Sequence, residues 1–409
     1  MFAHLSKLGH LAICLLLAVP VAGQNISGYW TGTLNAPGQT LTIGFDIKSD
    51  ESGSLSASMD VKEQGAWGFP ANEVSFENGI LKISIAQIGA EYRAMFLMKA
   101  FNGTFTQMGA QLPLVLAPGE RPKFDRPQEP QPPFPYRCEE VTFTNVRDGF
   151  DLAGTLTVPE GDGPFPGVVL VSGSGQKNRD EELMGHKPFA VIADYLTRHG
   201  IAVLRFDDRG VGGSAGDATN ATTYDNSFDA EAAFDFLKKR PEVSKAGILG
   251  HSEGGSIAYM LGARRPDDIA FIISLAGPAV KGSDCLFEQQ KAIYKASGLP
   301  EPQSLVMQSP NTWMKYFLDY DPEADISAIK CPLLFLNGTL DLQVLSYQNI
   351  PAMRNIVSKY GLKGVEIHEF EGLNHLFQHA GTGNPTEYAS ISETISEEIL
   401  QLICKWIAR

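Results

Sequence analysis

Cysteine is scarce in this 409-residue chain: there are five, Cys14, Cys138, Cys285, Cys331 and Cys404, and no two form a CxxC pair. Thiols so few and scattered exclude a disulfide-built scaffold and argue against a cysteine-held metal. Positive charge is also short, with 33 Lys and Arg against 47 Asp and Glu, a net charge of −14. A nucleic-acid groove needs clustered cations to displace counterions, so no nucleic-acid partner is expected; the acidity itself speaks to solubility rather than to chemistry. Long hydrophobic runs are missing too. The apolar run Leu11–Val19 is about half of the roughly 20 residues that a membrane span requires. A composition 43% apolar and 20% charged excludes a disordered tail protein, a collagen and a polytopic membrane protein.

What is present begins with a leader. Lys7, the apolar run, Pro20 and the small residues Val21-Ala22-Gly23 have the build of a secretory signal over residues 1–23, with a mature chain starting near Gln24. A secreted or periplasmic location is expected, without stable membrane insertion once the leader is removed. Cys14 follows Ile13 inside the run, where a lipid-attachment signal needs a small residue, so a lipoprotein is not expected.

The length fits about two domains. Over residues 24–117, short alternating runs such as Leu41-Thr42-Ile43-Gly44-Phe45-Asp46-Ile47 are separated by Gly, Asn and Asp, with Glu77-Asn78-Gly79 at a hairpin turn. This pattern predicts a small, barrel-like all-β domain of about seven strands. Pro118, Pro122, Pro127, Pro130, Pro132, Pro133 and Pro135 follow in a stretch without apolar periodicity, so residues 118–136 read as a stiff linker.

From residue 137 onward the pattern changes. Val141-Thr142-Phe143 and Leu152–Val158 predict an antiparallel opening pair. Apolar strands follow at Gly167–Val171, Ala202–Phe206, Ala246–Leu249, Phe271–Leu275, Pro332–Leu336 and Val365–Phe370. Helical patterns fill the gaps at Phe189–Arg198, Ser227–Lys239, Gly254–Ala263, Tyr347–Lys359 and Glu387–Ile407. Such alternation makes an α/β domain with a parallel sheet covered on both faces, whose ligands bind beyond the carboxyl ends of the strands.

One of those ends carries Gly250-His251-Ser252-Glu253-Gly254, a G-x-S-x-G turn between a strand and a helix. The tight turn lifts the Ser252 hydroxyl into the open, but it needs a base to take its proton. His375, in the loop after the last strand, lies at the correct end of the sheet. Chain order removes His186, His379 is a substitute one helical turn further on, and His368 belongs to the last strand. A carboxylate must hold the base. Asp341 follows its strand directly, whereas Asp319, Asp321 and Asp325 precede it. Oxyanion donors are expected from the main-chain N–H of Glu253 and from the Ser172-Gly173-Ser174-Gly175 turn, at Ser174 or else Gly175.

Five ordered stretches then carry a resemblance over residues 139–409: Ser172–Gly175 with Asn178-Arg179-Asp180-Glu181, the run Asp207–Ser214, the elbow, Asn337–Val344, and Leu373-Asn374-His375. Together they resemble the α/β-hydrolase superfamily, in particular secreted carboxylesterases related to the serine-aminopeptidase-like group. The resemblance implies an α/β-hydrolase fold with Ser252 as nucleophile, Asp341 as acid and His375 as base. Many relatives carry His where Ser172 stands. Arg179, Asp180, Asp208 and Arg209 read as loop-fixing ion pairs. The long connection of about 278–331, with helical stretches Leu286–Ala296 and Ser304–Leu318 bearing Trp313, Met314, Tyr316 and Phe317, reads as a helical cap over the serine.

The expected activity is that of a serine carboxylesterase needing no metal or organic cofactor. Its partner would be a small-molecule ester or acylated glycan, with short or aromatic acyl groups such as acetyl or feruloyl. A dehalogenase would carry a carboxylate at Ser252. The alternatives are a serine aminopeptidase or acyl-peptide hydrolase and, in another class, a glycan- or lipid-binding protein with a vestigial hydrolase domain.

Overall fold

The computed structural model describes residues 25–409 apart from 37, 38, 51, 52, 65, 108, 124 and 308; the expected leader, with Cys14, lies outside the described residues. The chain forms two compact units, one from the chain up to Pro122, apart from the short excursion Glu63–Trp67, and one from Lys123 onward.

The first unit is one antiparallel sheet of nine strands: β1 (Gly28–Ala36), β2 (Gln39–Ser49), β3 (Leu55–Val61), β4 (Ala66–Pro70), β5 (Glu73–Glu77), β6 (Ile80–Ile85), β7 (Ala90–Leu97), β8 (Ala100–Gln107) and β9 (Ala110–Pro118). Their spatial order is β4-β3-β2-β1-β9-β8-β7-β6-β5. The expected count was about seven. The excess lies at the edges, since β4 and β5 have no fully buried side chain and so lack the strong core-facing alternation that marks a strand in sequence. Inside the curl, Phe45 stacks on Tyr92 and Trp30 meets Phe101 edge to face at 4.6 Å. The buried Tyr92 hydroxyl donates to the carbonyls of Phe101 and Leu114, and buried Asp60 accepts a two-pronged contact from Arg121.

The second unit has an eight-stranded sheet: β10 (Tyr136–Asn145), β11 (Phe150–Pro159), β12 (Phe165–Val171), β13 (Ala202–Phe206), β14 (Val243–His251), β15 (Ile272–Leu275), β16 (Leu333–Gly338) and β17 (Val365–Phe370). The order is β10-β11-β13-β12-β14-β15-β16-β17. The hairpin β10–β11 pairs antiparallel with β13, and every later pairing is parallel. Strand residues alternate between two cores. Val169, Val171 and Ile248 face α2 (Thr223–Lys238), α3 (Glu253–Arg264) and α7 (Ser346–Tyr360). Val168, Leu170 and Leu249 face α1 (Pro188–Arg198) and α8 (Glu397–Ile407). Burial on both sides explains why these strands read as continuous apolar runs.

Between β15 and β16 lie α4 (Gly282–Ala296), α5 (Thr312–Asp319) and α6 (Glu323–Ala328). The last of these is core: Ile326 is fully buried, and a Cβ on Gly262 of α3 would sit 2.9 Å from Ile329. The C-terminal pattern differs from the single helix expected over Glu387–Ile407. A 3₁₀ turn, Pro385–Ser390, is followed by an extended stretch and then α8. Gln128 draws that stretch out of helical pairing, its side-chain oxygen accepting from the Thr394 and Ile395 amides at 2.6 and 3.1 Å. Residues 118–136 read as a linker, yet from Lys123 they belong to the second unit. Arg126 donates to the carbonyls of Gly185, Ala389 and Ile391, and Gln128 to that of Ile395.

Candidate active site

Strand β14 ends at His251 and α3 starts at Glu253, leaving Ser252 as the hinge between them with φ 54° and ψ −119°. A positive φ is costly for any residue with a Cβ, and the surroundings hold Ser252 there: its N–H donates to Leu275 O at 2.8 Å and its carbonyl accepts from Gly255 N at 2.9 Å. The turn closes because Gly250 has no side chain; a Cβ there would lie 2.0 Å from Gly254 O. The loop after β12 also passes close, since a Cβ on Gly173 would be 3.1 Å from that of Ser252.

Asp341 and His375 emerge after β16 and β17. His375 Nδ1 lies 2.8 Å from Asp341 Oδ2, and both residues are buried. The carboxylate is fixed first: its Oδ1 accepts from the amides of Gln343 and Val344 at 2.8 and 2.9 Å, and its Oδ2 from Asn337 Nδ2. Asn374 shapes the base loop, its side-chain oxygen taking the amides of Leu376 and Gln378. The base loop is tied to the elbow, because His251, next to Ser252, reaches His375 O through Nε2 at 3.0 Å. Among the described residues Ser252 Oγ makes no hydrogen bond to the imidazole; contacts of this kind commonly tighten only around a substrate.

The two expected oxyanion donors come from the start of α3 and from the loop after β12. Glu253 opens α3, and first-turn amides lack intrahelical partners. On the facing loop the Gly173 N–H is already taken by Glu181 Oε1 at 2.6 Å, leaving Ser174 and Gly175, the latter at φ 88°, as the candidates. The other histidines are engaged elsewhere. His186 is bonded to Thr394 and the Tyr388 carbonyl, and burial pushes its pKa down to about 4 despite the carbonyl. His379 is exposed and pairs with Glu393, and half-exposed His368 neighbours Glu366.

The family described as serine aminopeptidase, S33, matches residues 186–316. Esterase EstD of Thermotoga maritima is 29% identical over 279 residues, covering 63% of this chain and 66% of EstD. Esterase FrsA of Klebsiella pneumoniae is 29% identical over 150 residues, 36% of this chain and 33% of its own. The chain thus spans just under two thirds of the one relative and a third of the other. Among solved structures, a Pyrococcus furiosus esterase aligns with a TM-score of 0.49 at 19% identity, covering 71% of this chain and 99% of that one. Est1E of Butyrivibrio proteoclasticus with bound ferulic acid aligns at 0.45 and 19%, covering 65% and 96%. The second unit has an α/β-hydrolase fold, and over residues 186–316 the chain is similar to the serine aminopeptidase family.

Within this fold the cap helix α5 leans on the elbow. Trp313 Nε1 donates to Glu253 Oε1 at 2.8 Å, alongside Thr223 Oγ1 at 2.6 Å, and Trp313 stacks on Phe317. Three of the four residues read as ion pairs are so: Arg179 grips Asp207, Asp180 pairs with Arg205, and Arg209 pairs with Asp229 and Asp148. Asp208 departs from that expectation. It accepts the Ser172 hydroxyl and the Lys177 amide, both at 2.8 Å, and packing around its carboxyl, opposed by those two donors, raises its pKa to about 7. Glu181, buried beside Gly173 and His251, was noted in sequence only as part of a resembling stretch. A groove of about 570 Å³ bordered by Phe143, Phe228 and Phe236 contains none of these residues.

Proposed function

We propose that this chain is an exported serine carboxylesterase acting on esters of short or aromatic acids. The observation that carries the proposal is Ser252, held at positive φ between strand and helix, while the His375–Asp341 pair is bonded to the same elbow through His251. In the proposed cycle His375 takes the Ser252 proton as the oxygen attacks the ester carbonyl. The Glu253 and Ser174 amides stabilise the oxyanion, and Asp341 stabilises the imidazolium. The proton passes to the leaving alcohol, and water then repeats the sequence on the acyl-enzyme. The names of EstD and FrsA support ester hydrolysis; acetyl and feruloyl esters of plant polysaccharide are the first substrates to try.

The test sets nitrophenyl acyl esters of graded length against aminoacyl anilides. Ester preference, loss of turnover by roughly 10⁴-fold or more in Ser252→Ala, and fluorophosphonate labelling at Ser252 are the expected outcomes. Preference for anilides would instead favour the aminopeptidase, and absence of labelling would favour a binding protein. Export is checked by N-terminal sequencing of the mature chain, expected to begin near Gln24.

A further inference from the structure

The ring of His251 lies between two oxygens. Nδ1 is 2.9 Å from Glu181 Oε1, and Nε2 is 3.0 Å from the main-chain carbonyl of His375. A carbonyl can only accept, and an ionised carboxylate can only accept, whereas a neutral imidazole owns a single N–H. Glu181 Oε1 also receives the Gly173 amide at 2.6 Å, the kind of contact a carboxylate makes. Glu181 is 2% exposed, and among the described residues its ion-pair partner is His251; a carboxylate so placed needs a cation. Its backbone sits at φ 51°, a conformation that disfavours any side chain, yet the position carries a glutamate.

We propose that Glu181 holds His251 as a doubly protonated imidazolium, and that the pair is a positioning device joining the Gly173 loop, the serine elbow and the His375 loop. The proposal rests on the assignment of Ser252, His375 and Asp341 made above. One N–H of the cation fixes the carboxylate that orients Gly173 beside Ser252, and the other fixes the main chain carrying the base. The titratable and charged groups facing the ring are Glu181 from the loop after β12, and His375 and Asp341 from the loops after β17 and β16. Asp208, after β13, interacts electrostatically with both Glu181 and Glu253. The rest of the surroundings, Phe189, Ile192, Leu376 and Phe377, is apolar, which strengthens the pair. The attraction of Glu181, helped by the His375 carbonyl and by Asp341, outweighs burial and keeps the His251 pKa above that of a free histidine. The two imidazole rings are 4.8 Å apart, so the pair sits directly beside the base that it positions.

Glu181→Gln is the discriminating variant. It retains an oxygen to accept from both Gly173 and His251, but removes the charge that holds the second ring proton. The expected result is a fall in kcat of about tenfold or more with KM within about twofold, since misplacement acts on the reacting geometry. The alkaline limb of the kcat/KM profile should move down by at least about one pH unit. A residue that only fills space would leave that limb in place, and an unmoved limb overturns the proposal. Nuclear magnetic resonance of isotope-labelled histidine in the full-length wild type gives a reading that needs no variant to fold. The ring bonded to a carboxylate and a carbonyl should bear protons on both nitrogens at neutral pH, and a single N–H tautomer for His251 overturns the proposal. Failure of the underlying assignment looks different: Ser252 would then resist fluorophosphonate in the wild type, whatever the state of the His251 ring.

Discussion

Asp341 has its acceptor sites filled by Gln343, Val344, Asn337 and His375, so its orientation leaves the base one tautomer. Asp341→Asn would present an N–H₂ group to His375 Nδ1 or to the loop amides and favour the wrong tautomer. Turnover is expected to fall by about 10⁴-fold, with a melting temperature close to wild type in the same preparation. A second residue governs stability rather than rate. The Asp208 carboxyl has a pKa of about 7 in the folded chain, against about 3.9 unfolded. Between those values the folded state keeps a proton that the unfolded state has lost, so the stabilisation from this group is complete below about pH 4 and declines as the pH rises towards 7. Asp208→Asn can still accept from Lys177 and donate to Ser172. Urea titrations should therefore show its stability relative to wild type growing by up to about 1.4 kcal/mol per pH unit over that window; a pH-independent difference would refute the raised pKa. The strand-end positions of Ser252, Asp341 and His375 were legible in sequence because each follows a strong strand. The parts played by Glu181 and Asp208 were not, because their partners are main-chain amides and side chains brought in by folding, and no spacing rule encodes such contacts.

Among elements, the core strands and helices were read to within a few residues because two-sided burial leaves an apolar imprint. The failures have a common cause: the partner that decides the conformation is remote. The stretch from Ser390 to Ser396 continues a helical pattern in sequence, but its Thr394 and Ile395 amides are taken by Gln128, 266 and 267 residues earlier. The cap was legible as an overlong connection, although its final helix proved to be core through Ile326. Arg126 is the natural probe of the proline-rich segment. Burial lowers its pKa, and its guanidinium caps carbonyls from two separate loops. Arg126→Ala should destabilise the second unit by about 2–4 kcal/mol, because charged hydrogen bonds are lost and buried acceptors are left unmet. Chemical denaturation followed by circular dichroism would measure this, and a change below about 0.5 kcal/mol would mean that the segment is held some other way.

At the scale of the whole molecule, the shortage of cysteine has a measurable counterpart. Cys138, Cys285, Cys331 and Cys404 are all free thiols among the described residues. Burial pushes Cys285 up to about 12 and Cys331 up to about 11, which suppresses the reactive thiolate. Thiol titration of the native chain should therefore modify exposed Cys138 first and reach Cys285 and Cys331 only on unfolding. A reductant should leave the melting temperature unchanged; a fall on reduction would reveal a bridge. The anchoring of Arg126 and Gln128 bears on how the gene can be divided. A fragment begun where the prolines end would discard both side chains and expose the carbonyls and amides of the Ala389–Ile395 stretch. The cut that respects the folding units falls at Pro122–Lys123, so a fragment holding the second unit has to carry most of the proline-rich segment as part of its own fold.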